Sequence, residues 1–171
     1  MPVATGKRIR RILVAATINV EYINPILKAT VTVVRDACRL DVTIGKPQLA
    51  TASFTDDEFL ILMGITGEMK GQAIIDFPVE GGKEIASAMC MMPIESLDEL
   101  AQSAICELCN MILGNSATLY SVAGRVIDIT PPTICTGNVV FNANYAANIK
   151  IPILKDGNRL FDINIAIKGD D

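Results

Sequence analysis

A chain of 171 residues, half of them hydrophobic, has material enough for one domain with a substantial core. It has no histidine, which excludes Ser-His-Asp and Cys-His nucleophile pairs, phosphohistidine and His-ligated metals, and its apolar runs stop far short of the roughly 20 residues of a membrane span. Four of its fifteen basic residues (Lys7, Arg8, Arg10, Arg11) open the chain with no acid among them, leaving eleven bases against nineteen acids, a net charge of −8 that disfavours nucleic acid as a partner and suits one presenting a lysine.

Residues 1–19 read as a basic, poorly ordered extension, because the apolar stretch behind the arginines is short and interrupted by Thr17 and Asn19, unlike an export signal. Residues 20–171 read as a single domain. Asn24-Pro25 signals a helix start, Asn24 as N-cap and Pro25 at the first helical position, for a helix to about Cys38. After Gly45-Lys46-Pro47, the segment Gln48 to Phe54 fits an edge strand. Phe59 to Ile65 and Gln72 to Phe77 predict an antiparallel hairpin, with Gly64, Gly67 and Gly71 loosening the turn. Gly81-Gly82 then breaks the chain before a short helix from Lys83 to Met92, which Pro93 ends.

Ser96-Leu97-Asp98-Glu99 forms a capping box that opens a long helix, Leu97 to Ser121, with Gly124 as its stop. The consecutive prolines in Asp128-Ile129-Thr130-Pro131-Pro132-Thr133 call for an extended connector. Ile149, Ile151 and Ile153, the Asp156-Gly157 turn, and Phe161, Ile163, Ile165 and Ile167 spell a hairpin with one buried face. Its regular edge is a candidate for strand pairing with a second chain. The order predicts an α+β fold, helices layered on a mainly antiparallel sheet.

The long helix carries the chemistry. At 100° per residue, Glu99, Ser103, Glu107, Asn110, Gly114 and Ser121 share one face, while Leu97, Ala101, Ala104, Ile105, Leu108, Ile112 and Leu119 share the other. Asn and Gly lower helix propensity, so a contact surface accounts for that outer face better than solvation does. At i, i+3 the carboxylate of Glu107 and the amide of Asn110 project side by side; the first can fix a partner's lysine and the second can hold a water in line. Such a pair suits hydrolysis of a phosphoryl group whose own site already holds metal and charge. Glu21-Tyr22-Ile23-Asn24 has the same spacing, with Asn24 explained by capping. The five cysteines, an odd number, read as reduced thiols of a cytoplasmic protein, and the Cys106/Cys109 spacing inside an amphipathic helix reads as packing rather than redox or metal chemistry.

The run from Leu97 to Met111, the Asp128 to Thr133 segment, the Tyr22-Ile23-Asn24-Pro25 opening and the Gly64-Ile65-Thr66-Gly67 turn together resemble the CheX branch of the CheC/CheX/FliY family, in matching order over about residues 20–168. The resemblance implies a phosphatase of a phosphorylated CheY-type response regulator in bacterial chemotaxis. It puts on Glu107 the salt bridge to the regulator's active-site lysine and on Asn110 the orientation of the attacking water, with Ser103 and Gly114 as supporting contacts. It implies one site per chain, a homodimer, and no cofactor or metal of the chain's own, since the acyl phosphate and Mg2+ belong to the regulator. Cys109 stands where relatives often have glycine, on the packing side of the helix. Two other readings use the same residues: a non-catalytic adaptor that binds a receiver domain through this face, and a structural dimer in which the pair is accidental.

Overall fold

The computed structural model of the chain describes residues 20–50, 53–55, 58–140 and 148–168; the predicted extension at 1–19 lies outside them. A 3₁₀ turn at Val20–Tyr22 leads into α1 (Asn24–Cys38). Asn24 is not its cap: it is already helical, the flanking residue is Ile23, and no side chain makes a capping bond. Burial fixes the start instead, because Ile23 is fully enclosed and its carbonyl accepts from the N–H groups of Ile26 and Leu27, while Pro25 presets the first turn.

The predicted strand at 48–54 is two pieces that serve different sheets. β1 (Thr43–Ile44) and β2 (Gln48–Leu49) pair with β9 (Asn148–Lys155), whereas β3 (Ser53–Phe54) pairs with β8 (Val139–Val140). β4 (Glu58–Gly67) and β5 (Gly71–Pro78) form the expected hairpin, Ile61 opposite Ile75. Gly67, at φ 97°, makes the turn. Gly64 instead lies within β4 opposite Gln72, and its N–H donates to Thr130 Oγ1 at 2.7 Å.

α2 (Val79–Cys90) takes Gly81 and Gly82 into its first turn rather than starting after them. The two glycines permit contact: a Cβ on Gly81 would overlap the carbonyl oxygen of Leu160, and one on Gly82 would come within 3.1 Å of a Leu97 methyl. Met91, left-handed at φ 55°, ends this helix ahead of Pro93.

α3 (Glu99–Val122) is capped by Asp98, not Ser96; the Asp98 carboxylate accepts from Ala101 N–H at 2.9 Å and lies at the positive end of the helix dipole. Beyond it, Gly124 at φ 87° allows the Arg125 N–H to reach back to the Tyr120 carbonyl at 2.8 Å. The proline connector is bracketed by β6 (Ile127–Ile129) and β7 (Thr133–Cys135), both antiparallel to β4, so the prolines fall in the gap where no ladder N–H is needed.

β9 and β10 (Asn158–Ile167) form the C-terminal hairpin, with Asp156 and Gly157 both at positive φ as a tight two-residue turn requires. Among the described residues the antiparallel sheet has eight strands, in the order β1-β9-β10-β5-β4-β6, with β2 also on β9 and β7 also on β4. Two expectations are overturned by that order. The hairpin offers no free edge, since β5 flanks one side and β1 and β2 the other. Nor is only one of its faces buried. Phe161, Ile163 and Ile165 join Ile149, Ile151 and Ile153 in the main core beneath the three helices, but Asp162 and Asn164, pointing the other way, are buried as well.

On that outer face Asp162 sits opposite Asp76, also fully buried. Arg159 bonds both carboxylates, its Nε donating to Asp162 at 2.6 Å, and Lys150 Nζ lies 3.3 Å from Asp162 and 3.6 Å from Asp76. Phe54, Leu60 and Ile74 form a second, small apolar cluster.

Candidate functional site

α3 is held at both ends and along one side. Ala101, Ile105, Leu108, Cys109, Ile112 and Leu113 are buried against the core, and the Tyr120 hydroxyl donates to the Tyr22 carbonyl. Leu119, assigned to the buried face, is only half-buried, in the last turn of the helix. The helix therefore cannot roll, and what lies opposite the buried stripe is fixed towards solvent.

Ser103, Glu107 and Asn110 are all exposed and line one shallow groove of about 520 Å³. Gly114 is outside the lining, one turn further on, and a Cβ there would meet nothing within 4 Å. The far wall comes from the proline connector, Pro132 and Ile134. Glu99, Gln102 and Cys106 complete the helical wall, and among the described residues no lysine or arginine lines the groove.

The polar side chains of α3 divide into two sets. Asn115, Ser116 and Thr118 turn back on their own helix, donating to the carbonyls of Met111, Ile112 and Gly114 at 2.8, 2.7 and 3.3 Å. Among the described residues Glu107 and Asn110 make no such bond and no ion pair, so carboxylate and amide are both available to a visitor. Three residues apart on a helix, their Cβ atoms stand roughly 5–6 Å from each other. Neither is a nucleophile; together they can hold a cation and align a water.

The two thiols of this helix differ: Cys109 is fully buried, whereas Cys106 is half-buried and lines the groove. Burial, with Cys106 adding to it, pushes the Cys109 pKa well up, and burial raises Cys106 too, so both are protonated near neutral pH. All five cysteines are free. Among the described residues no three His, Cys, Asp or Glu side chains converge as metal ligands would. In the second Glu-x-x-Asn, at 21–24, Glu21 and Asn24 are exposed but take no part in the groove.

Sequence reasoning thus brings Ser103, Glu107 and Asn110 to one place and misses Gln102 and Cys106, on the flank of the same helix, and Pro132 and Ile134, which reach the groove only through the pairing of β7 with β4. Glu99 was visible on the same helical stripe.

Comparison with known proteins bears on the family and the fold. The family model described as chemotaxis phosphatase CheX matches residues 59–153, from β4 through α3 into β9. The CheY-P phosphatase CheX of Thermotoga maritima is 31% identical over 147 residues, 85% of this chain and 95% of that protein. A CheC-like superfamily protein from Shewanella sp. PV-4 superposes with a TM-score of 0.78 at 26% identity, covering 89% of this chain and all of the other. CheX in the CheX-CheY-BeF3-Mg2+ complex from Borrelia burgdorferi gives 0.75 at 26% identity, covering 88% and 100%. With more than half its length matched by the family model, and with three helices on the antiparallel sheet that its relatives share, the chain belongs to the CheX family of chemotaxis phosphatases.

Proposed function

We propose that this protein hydrolyses the aspartyl phosphate of a CheY-type receiver domain, with Glu107 docking to the receiver's active-site lysine and Asn110 orienting the attacking water. The observation that supports it most directly is the pair of groups, one acidic and one amide, that have no bond among the described residues and stand side by side on a well-packed helix, in an open groove that no described basic residue lines. Water attacks phosphorus, the bond to the receiver's carboxylate oxygen breaks, and inorganic phosphate leaves. Charge on the transferring group is borne by the receiver's own Mg2+ and lysine, so the task left for a partner is positioning. An amide is suited to that task, since it donates and accepts without changing charge. Ser103, one turn before Glu107, keeps the approach low, and Gly114 leaves clearance for the receiver's backbone.

The test is decay of a phosphorylated CheY-type receiver with catalytic amounts of this protein. Wild type should accelerate it, and Asn110→Ala should lose about 10²-fold or more of that acceleration while still binding the receiver. Glu107→Ala should weaken binding. Acceleration that survives Asn110→Ala overturns the assignment, and binding without any acceleration turns the protein into an adaptor.

The homodimer belongs to the same proposal, as does action in the cytoplasm. A monomeric mass by light scattering at working concentration would overturn the dimer.

A further inference from the structure

We propose that the groove reads two further features of its partner: a second basic side chain at Glu99 and an apolar side chain against Pro132 and Ile134. The inference rests on the docking reading above and deepens it. Partner choice would then be made away from the Glu107–Asn110 pair.

Glu99 and Glu107 line the same groove eight residues apart, which along a helix is about 12 Å. One lysine cannot neutralise both. Each is exposed, and among the described residues neither has an intramolecular partner and no cation lines the groove to offset them. Ser103 stands midway, one turn from each, and is small enough to leave the surface between the two carboxylates open. Across the groove Ile134 keeps 42% of its surface in water although it sits on a strand, next to the rigid Pro132. The complementary face therefore carries two cations about 12 Å apart with an apolar side chain beside them. A receiver domain that offers only the first lysine would be held at one point and discriminated against.

Glu99 also favours its own helix, lying in the first turn of α3, so the test needs a readout that a structural role would not move. Steady-state dephosphorylation of a phosphorylated CheY-type receiver is measured at about 20 and 200 mM salt for Glu99→Gln, Glu99→Lys and Ile134→Ser, with melting curves alongside. Glu99→Gln should raise KM about two- to fivefold at low salt, and Glu99→Lys about tenfold, with kcat unchanged and the differences shrinking at high salt. Ile134→Ser should raise KM about three- to tenfold at either salt concentration. A Glu99 that serves only its helix would lower the melting temperature without touching KM, and KM values unchanged in all three variants overturn the inference. If wild type accelerates no receiver, the phosphatase reading falls separately; the variants are then compared by Kd for a beryllofluoride-loaded receiver, where unchanged values, or no binding by wild type, overturn this one.

Discussion

Asn110 and Asn115 lie five residues apart on one helix and spend their amides differently. Asn115 is satisfied by the Met111 carbonyl, while Asn110 faces the groove with nothing to hold. Asn115→Ala should therefore leave turnover within about twofold of wild type, against a loss of about 10²-fold for Asn110→Ala in the same assay. Buried thiols make a second prediction at this scale. Burial pushes Cys38 up to about 11 from the ordinary 9.0. The native state then keeps a proton that the unfolded chain gives up, so this contribution to stability is complete below pH 9 and is lost as pH rises towards 11. Urea melts should show the midpoint falling across that window, and falling less in Cys38→Ala. The side chains of Glu107 and Asn110 could be found by a helical wheel because helix geometry is local. Asn24 was misassigned because a capping residue and an exposed first-turn residue have the same sequence signature, and only the burial of Ile23 decides between them.

At the scale of elements, two glycines in helices show how context sets sign. Gly81→Ala should destabilise the protein by about 1–3 kcal/mol, since its Cβ would strike the backbone of β10, which cannot swing aside. Gly114→Ala should instead stabilise by up to about 1 kcal/mol, because its Cβ meets open space and alanine is the better helix former. Chemical denaturation checks both. If Gly114 is there to admit a partner, the same substitution raises KM for the receiver as it raises stability. The three helices, the two long hairpins and the α+β order could be read from periodicity and turn residues. The clearance at Gly81 could not, because it is set by a strand about 80 residues further along the chain. Nor could the far wall of the groove, which depends on β7 finding β4 across the sheet.

At the scale of the whole molecule, the sheet carries apolar residues towards the helices and an ion network on its outer side. The alternation Asp162, Asn164, Ala166 looked like a solvent face, but β10 became a central strand and took its polar side indoors. Arg159 is what makes this tolerable. Arg159→Met should cost about 2–4 kcal/mol in urea denaturation, short of the full figure for breaking a buried pair because Lys150 remains and Arg159 is itself over a third exposed. Replacing Asp76 and Asp162 by Asn in the same background should recover part of that loss.

The two walls of the groove meet at β6, which packs on the long helix, and differ in what holds them beyond it. The Glu107–Asn110 wall is anchored by helix packing, whereas Pro132 and Ile134 hang on β4 through β7 and through the Thr130 hydroxyl, which receives the Gly64 N–H at 2.7 Å. Substitutions at the exposed Ile134 leave the buried stripe of the helix intact. A lineage with many receivers could therefore change which of them this groove accepts as substrate by altering exposed residues of the strand-side wall one at a time.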